Sequence, residues 1–285
     1  MPASCAGKPF VKWAGGKSKL LPVIQAKLPH DFESYHTYVE PFTGGGAVFF
    51  RIKQCYPGKR FVLNDFNEKL VLLYRIVRDH PEAFIQKLLE KQNRNYQLMN
   101  LEEQKLYFLE QRALYNKNSS NEMKMAALML FLNKTCFNGL YRENRQGIFN
   151  VSFANLKRPS ICSPELIRKD SELLQGVTLM CGDYRQTESF AEKGYFFYFD
   201  PPYKPISKTS SFTCYTKHDF GDDEQIGLAQ FCSAIRQKGA CWMQSMTLCV
   251  CIPYRGNDRM GYFLILTVTG KYCRKFANES RNTCY

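Results

Sequence analysis

The chain has 285 residues, of which 45% are hydrophobic and 23% charged, an ordinary composition for a folded protein that excludes a wholly disordered chain. This length corresponds to one large domain or two small ones. Lysine and arginine number 39 against 26 acidic residues, so the net charge of +13 favours a polyanionic partner such as nucleic acid or an anionic membrane.

Signals of export and of membrane insertion are not visible in the sequence. Residues 1–30 carry several lysines and lack the continuous apolar stretch of a signal peptide. Apolar runs such as those at 195–199 and 262–266 are too short to span a bilayer. The twelve cysteines include no C-x-x-C pair, which disfavours zinc binding. We therefore expect a cytoplasmic protein with free thiols, no metal and no membrane partner.

The first motif is the segment F-V-K-W-A-G-G-K at 10–17. Gly16, Lys17 and Ser18 resemble the end of a phosphate-binding P-loop, but that loop needs a glycine five residues before Gly16, and Val11 stands there. Taken alone, the segment is compatible with a ligand-binding loop or with a plain loop that buries a tryptophan.

Residues 38–65 show the pattern of a strand, a glycine loop, a helix and a second strand. The strands are predicted at 38–40 and 61–65 and the helix at 47–54, the order found in nucleotide-binding α/β units. The loop at 42–46 contains three consecutive glycines, but Phe49 replaces the last glycine of the G-x-G-x-x-G fingerprint, which disfavours an NAD enzyme. Asp65, at the end of the second strand, stands where a ribose-binding acid is expected.

The next hundred residues predict helices, since apolar residues recur at helical spacing from Leu70 onward and again over 122–132. Strands are predicted to resume at 177–180 and 196–200, with a helix at 222–237. The strand ending at Asp200 leads into D-P-P-Y at 200–203. Proline has no N–H, so this segment offers acceptors to a ligand that donates hydrogen bonds, such as an exocyclic amino group.

Four motifs in this order resemble those of the Dam family of DNA adenine N6-methyltransferases, whose recognition domain lies between the glycine motif and D-P-P-Y. They are K-W-A-G-G-K at 12–17, E-P-F-x-G-x-G at 40–46, F-N-G-L-x-R at 137–142 and D-P-P-Y at 200–203. The resemblance spans about residues 8–245. It implies the α/β, Rossmann-like sheet of S-adenosylmethionine-dependent methyltransferases with an inserted, mostly helical DNA-recognition domain that carries a β-hairpin.

The resemblance also implies a cofactor, S-adenosyl-L-methionine, bound without a metal. Nine residues are expected to bind it: Trp13, Lys17, Glu40, Phe42, Gly44, Gly46, Asp65, Asp183 and Tyr184. Among them, Asp65 would bind the ribose hydroxyls, and Asp183 and Tyr184 would lie beside the cofactor adenine.

Four residues are implied as catalytic: Asp200, Pro201, Pro202 and Tyr203. Asp200 and the Pro201 carbonyl would accept hydrogen bonds from N6 of the target adenine, and Tyr203 would stack on the flipped base. The segment after D-P-P-Y, with F-T-C-Y at 212–215, is expected to close over that base.

The partner implied by the resemblance is double-stranded DNA. Five residues are expected to bind it: Lys12, Phe137, Asn138, Leu140 and Arg142. Phe137 and Asn138 would wedge into the duplex, Lys12 and Arg142 would contact guanines, and Leu140 would touch a thymine methyl, which favours GATC as the target. Lys157 and Arg158 are expected to contact phosphates. Ser152 departs from the proline that is usual in close relatives.

The domains predicted from these motifs are a catalytic domain of residues 1–69 and 171–245 and a target-recognition domain of residues 70–170. Residues 246–285 depart from the family pattern and carry four cysteines, and we formulate the hypothesis that the reading frame changes near residues 243–247. A single-base shift in the nucleotide sequence that restores a family-like tail would support this hypothesis.

Alternatives stay open at the level of the sequence. The chain could be a catalytically impaired DNA-binding remnant, or an enzyme with the same chemistry at another recognition sequence. An RNA or protein amide methyltransferase is a more distant alternative, because D-P-P-Y also suits other planar amino groups. A cognate restriction endonuclease acting on the same site is a candidate partner, in a bacterial or phage-infected cell.

Overall fold

Six parallel strands form one sheet in a computed structural model that describes residues 8–91, 96, 99–144, 146–156, 159–202, 220–246 and 261–265. The strand order is β3-β2-β1-β4-β5-β6. The strands are β1 (Thr37–Glu40), β2 (Arg60–Asp65), β3 (Thr178–Cys181), β4 (Tyr195–Phe199), β5 (Cys241–Met246) and β6 (Gly261–Ile265). The order reverses between β1 and β4, the place where ligands bind in open α/β sheets.

Helices cover the sheet and build the segment between β2 and β3. In the described residues the α-helices are α1 (Leu21–Ala26), α2 (Ala47–Cys55), α3 (Glu68–Asp79), α4 (Pro81–Lys91), α5 (Leu101–Asn116), α6 (Glu122–Thr135), α7 (Pro164–Leu174) and α8 (Asp222–Gln237). None of these helices is long and apolar enough to cross a membrane.

The central strands are buried on both faces, and their sequences are mostly apolar, with Thr37 and Glu40 of β1 as polar exceptions. Every residue of β1 and of β4 is buried, as expected for parallel strands that are covered by helices on both sides. Thr37 of β1 lies beside Arg60 of β2 and Tyr195 of β4, so the carboxyl ends of all three strands lie at one edge of the sheet. The side chains that follow these strands are thereby brought together.

Asparagine side chains start three of the helices. Asn67 accepts a hydrogen bond from the Leu70 N–H at the start of α3, and Asn121 accepts one from the Lys124 N–H at the start of α6. Asn100 begins α5 in the same way. These caps satisfy backbone donors that have no partner inside a helix, and so they fix where each helix begins.

Helix α6 is the core of the inserted segment. Its residues 125–133 are all buried, so the helix is surrounded by protein rather than amphipathic. The buried cluster that contains Leu128 of α6 also contains Tyr38 of β1 and Leu70 of α3. The insertion therefore shares one hydrophobic core with the sheet.

The predicted β-hairpin is a loop with two isolated antiparallel bridges, Cys136 with Phe153 and Glu143 with Phe149. A 3-10 turn over Phe137–Gly139 follows α6, and Asn138 adopts a left-handed φ of 55° within it. Such a turn interrupts regular pairing, so the two arms approach without forming a continuous ladder. We call residues 136–153 the recognition loop.

The fold predicted from the sequence is confirmed as a mixed α/β protein with a parallel sheet. Helix α8 has the predicted bounds, and α2 extends one residue past its predicted end. The predicted domain boundary after residue 69 lies inside α3, and the division into domains stays a prediction. Strand β6 lies within residues 246–285, the part of the chain that departs from the family pattern. Its backbone pairs with β5 and extends the sheet.

Candidate active site

A cavity of about 550 Å³ lies at the carboxyl ends of β1, β2 and β4. All nine residues predicted to bind the cofactor line it, together with Asp200, Pro201 and Pro202 of the predicted catalytic set. The fourth predicted catalytic residue, Tyr203, lies outside the described residues, as does the segment 212–215. Three of the four motifs, which are distant in sequence, therefore meet in one place: those at 12–17, 40–46 and 200–203.

The glycine loop shapes one wall of the cavity. Gly44 and Gly46 have φ angles of 50° and 72°, which disfavour any residue with a side chain. A Cβ atom at Gly46 would collide with the hydroxyl of Tyr74, and this hydroxyl donates a hydrogen bond to the Gly44 carbonyl at 3.0 Å. Asn64 ties the loop to its surroundings, with Nδ2 donating to the carbonyls of Pro41 and Gly182 at 3.0 Å each.

Asp65 is held at the end of β2 by backbone donors. One carboxylate oxygen accepts from the Gly44 N–H at 2.8 Å and the other from the Asn67 N–H at 2.9 Å. Burial raises the pKa of Asp65, and these backbone hydrogen bonds oppose the increase. The carboxyl group is thus fixed in the cavity wall, where it can accept hydrogen bonds from ligand hydroxyl groups.

Asp200 is held from two sides by side chains from different parts of the chain. The Lys17 ammonium lies 2.6 Å from Oδ2, and the Ser245 hydroxyl donates to Oδ1 at 2.6 Å. Lys17 and Ser245 are 4% and 0% exposed, so both contacts are shielded from water. The two contacts hold the carboxylate in one orientation at the end of β4.

Glu40 places a second carboxyl group close to Asp200. It is buried at the end of β1 and accepts a hydrogen bond from the Tyr38 hydroxyl at 2.9 Å. Burial raises the pKa of Glu40 well above its usual range, and the charge of Asp200 raises it further, while Tyr38 and Lys17 lower it. The cavity therefore contains a lysine ammonium together with two carboxyl groups of unlike environment, which suits a ligand with charges of both signs.

Aromatic rings form another part of the wall. The ring of Phe42 lies 5.1 Å from that of Tyr184 and 5.8 Å from that of Phe220. The Tyr184 hydroxyl is buried and has no hydrogen-bond partner among the described residues. Beside it, Asp183 accepts from the Arg185 N–H at 2.8 Å. A planar group with a polar edge would fit against this wall.

The residues predicted to bind DNA do not line the cavity but lie along the recognition loop and the N-terminal motif. Asn133 joins the two, with Oδ1 accepting from the Lys12 N–H at 2.8 Å and Nδ2 donating to the Lys12 carbonyl at 2.7 Å. The Lys12 side chain packs on Gly139, where a Cβ would collide with it. Phe137 is 55% exposed, and the Arg142 Nε donates to the Asn150 side chain at 2.8 Å.

Two residues of this site were not predicted from the sequence. Ser245 was not among the predicted site residues, although its hydroxyl contacts Asp200. Tyr141 was the unspecified position of the F-N-G-L-x-R motif, but its ring stacks on Trp13 with centroids 5.2 Å apart and planes 20° apart. No local pattern announces either contact, because each joins segments that are distant in sequence.

Comparisons with known proteins agree with this geometry. The model of the D12 class N6 adenine-specific DNA methyltransferase family matches residues 13–261. The chain is 42% identical over 242 residues to the type II methyltransferase M.MjaIII of Methanocaldococcus jannaschii, covering 84% of this chain and 83% of that protein.

Two further relatives have similar coverage. The type II methyltransferase M1.LlaDCHI of Lactococcus lactis is 38% identical over 84% of this chain and 80% of its own length. A DNA adenine methylase of Vibrio cholerae is 35% identical over 77% of this chain and 74% of its own length.

Proposed function

The chain belongs to the family of D12 class N6 adenine-specific DNA methyltransferases, and from this membership we propose that it transfers a methyl group from S-adenosylmethionine to adenine N6 in duplex DNA, with GATC as the target. The observation that carries the proposal is the position of Asp200 and Pro201. Both lie in the wall of the cavity that also contains Asp65 and the glycine loop.

The residues of the cavity fit the proposed cofactor. Asp65 would accept hydrogen bonds from the ribose hydroxyls, and the aromatic rings of Phe42 and Tyr184 would contact the adenine. Lys17 and Glu40 would bind the charged groups of the methionine part. When bound, S-adenosylmethionine supplies an electrophilic methyl group on a sulfonium sulfur.

The proposed role of Asp200 follows from the poor nucleophilicity of the adenine amino group, whose lone pair is delocalised into the ring. A carboxylate has about four acceptor positions, so Asp200 can keep its bonds to Lys17 and Ser245 and still accept one from N6. With the Pro201 carbonyl as a second acceptor, the nitrogen would be drawn toward tetrahedral geometry. Positioning and electrostatics then lower the barrier to transfer.

The target base must leave the duplex to reach this cavity, at an unstacking cost of a few kcal/mol. The exposed Phe137 and the neighbouring Asn138 would fill the space left by the flipped base. Leu140 would contact a thymine methyl. Arg142 would contact guanine after exchanging its hydrogen bond to Asn150, and Lys12 would contact a second guanine.

A second candidate is the same chemistry at a different recognition sequence, which is favoured by Ser152 in place of the proline expected there. The type II methyltransferases among the relatives favour a restriction-modification role, with an endonuclease that cuts the same unmethylated sequence. The remnant without catalysis is less favoured, because the described Lys17, Asp200 and Ser245 are assembled.

Methyl transfer to three matched duplexes tests the proposal. We expect a labelled methyl group to enter a duplex with one GATC site, and not a duplex with the same composition in scrambled order. A third duplex that already carries N6-methyladenine in both strands of GATC should accept none, which identifies the target atom. Transfer to the scrambled duplex supports the second candidate, and transfer to none contradicts the proposed methylation of GATC.

Asp200→Ala provides the matched protein control for this assay. The substitution removes an acceptor for the amino group, so we expect methyl transfer to be lost while most of the affinity for DNA remains. Full transfer by this variant would contradict the role proposed for Asp200.

A further inference from the structure

Trp13 lies between the glycine loop of the cavity and a residue of the recognition loop. On one side, a Cβ atom added at Gly44 would approach the Trp13 ring to 2.9 Å, so the indole packs directly against the loop backbone. On the other side, the ring of Tyr141 stacks on it with centroids 5.2 Å apart. A shift of either neighbour therefore moves the indole or opens a gap beside it.

Hydrogen bonds of its hydroxyl group hold Tyr141 in place. It is 1% exposed, and its hydroxyl donates to the Glu143 carboxylate and lies 2.9 Å from the Tyr115 hydroxyl. A phenol has one proton, so Tyr115 is the donor in the second contact. Burial raises the pKa of both tyrosines, which keeps both protons in place.

This network extends to the helices of the insertion. Glu143 forms an ion pair with Lys69 of α3 at 2.6 Å, and Tyr115 belongs to α5. Tyr141 thus has a fixed support on one face and the wall of the cavity on the other. In sequence it stands between Leu140 and Arg142, the two residues proposed to contact DNA bases.

We propose that Tyr141 is a positioning residue that couples cofactor binding to DNA recognition through its stack on Trp13. This inference rests on the proposed function. A ligand that presses on Trp13 stabilises one arrangement of Tyr141 and hence of the recognition loop, and DNA bound to the loop stabilises the matching arrangement of the cavity. Because coupling between two sites is reciprocal, each ligand must raise the affinity for the other by the same factor.

The competing explanation is that Tyr141 only fills the core. A residue of that kind would lower the stability of the protein when truncated, but it would leave the ratio of affinities with and without the second ligand unchanged. The coupling factor therefore separates the two explanations.

The experiment measures the affinity for a fluorescent GATC duplex with and without saturating S-adenosylhomocysteine, which cannot donate a methyl group. We expect the ligand to tighten binding by about 5- to 150-fold in the unmodified chain, the usual range for such coupling. Tyr141→Leu should bring the ratio close to one, and Tyr141→Phe, which keeps the ring, should retain most of it.

Tyr107→Leu is the control, because it removes a partly buried ring that packs on Phe131 of α6, away from the cavity. An unchanged ratio in folded Tyr141→Leu, or an equal loss in Tyr107→Leu, would overturn the proposal, and so would a ratio of one in the unmodified chain. Absence of binding to either ligand would instead count against the proposed function.

A second measurement does not depend on the folding of a Tyr141 variant. The chain has two tryptophans, and Trp242 is 1% exposed, so a Trp242→Phe protein reports on Trp13 alone. We expect the GATC duplex, added without cofactor, to change the Trp13 emission, and a scrambled duplex to change it less. Tight binding of the GATC duplex with unchanged emission would refute the coupling.

Discussion

Single residues decide how the Asp200 carboxylate is oriented, and Ser245 is the one that can be altered with least disturbance. Removing its hydroxyl deletes a hydrogen bond to a charged group, worth about 1.5–3 kcal/mol, so we expect Ser245→Ala to lower kcat by about tenfold or more. Steady-state kinetics will show the effect in kcat more than in the KM for S-adenosylmethionine.

Ser233→Ala is the matched control for that measurement, since the Ser233 hydroxyl donates only to a backbone carbonyl within α8. An unaltered kcat in Ser245→Ala would show that the Ser245 hydroxyl is not needed to orient Asp200.

A second residue, Asp170 of α7, predicts how stability depends on pH. Its carboxyl group is fully buried, and neither oxygen has a hydrogen-bond partner among the described residues. Burial raises its pKa to about 8, although Lys169 and Lys134 oppose the shift. The folded chain therefore retains a proton that the unfolded chain, with a pKa of about 3.9, loses.

The contribution of Asp170 to the free energy of unfolding is thus largest below about pH 4 and decreases as the pH rises to about 8. Asp170→Asn removes this titration. When the pH is raised from 5 to 9, we therefore expect the free energy of unfolding of the variant to increase by at least about 1 kcal/mol relative to that of the unmodified chain. Urea unfolding at the two pH values measures it. A difference between the two proteins that is constant with pH would contradict the assignment.

For single residues, the sequence predicted which of them lie in the cavity better than it predicted which side chains touch each other. Each of the nine residues expected to bind the cofactor lines the cavity. Seven of them end a strand or lie in the loop that follows one, whereas Trp13 and Lys17 belong to the N-terminal motif that precedes β1. Ser245 and Tyr141 escaped prediction because their contacts depend on the register of β5 beside β4 and on the path of the recognition loop. Neither is encoded in a local pattern.

Short polar sequences determine where helices begin, as helix α5 shows. Asn100 and Glu103 form a capping box, in which each side chain bonds to the backbone N–H of the other residue. Asn100→Ala leaves two N–H groups without this partner, so we expect a loss of about 1 kcal/mol in the free energy of unfolding.

Asn100→Asp keeps an acceptor oxygen and also suits the positive end of the helix, and it should lose little or nothing in chemical denaturation. Equal losses in both variants would show that the cap oxygen is not what stabilises the start of α5.

The elements were predicted with uneven success. The alternation of strands and helices around the sheet follows from buried apolar runs and glycine loops, and α8 was bounded correctly. The recognition loop was expected as a hairpin, but the left-handed Asn138 and the 3-10 turn beside it leave two isolated bridges. The family resemblance implied the hairpin, and it does not show where a turn of this chain interrupts the pairing.

At the scale of the whole molecule, the charge of +13 overstates the case for DNA binding. Residues 246–285 hold six basic and two acidic residues, a surplus of four that lies beyond the motifs. We expect only charges near the recognition loop to set the salt dependence of DNA binding.

Lys157, which was expected to contact a phosphate, lies outside the described residues. Lys157→Ala should reduce the slope of log K against log salt by about 1, the effect of losing one such contact. Lys275→Ala in the tail, with the same change in net charge, should leave the slope unchanged. Fluorescence anisotropy of a GATC duplex over a salt series measures both. Equal changes in the two variants would show that the slope depends on the net charge of the protein and not on the position of the lysine.

The order of the strands in the sheet also has a consequence for folding of the chain during its synthesis on the ribosome. Strand β1 pairs with β4, whose residues follow about 160 positions later, and the insertion must be translated in between. At about 5–20 residues per second, β1 waits on the order of 10 seconds for its partner with an open hydrogen-bonding edge. Translation speed through the insertion is therefore a determinant of yield, and a nascent chain stalled before residue 195 is the species most exposed to aggregation.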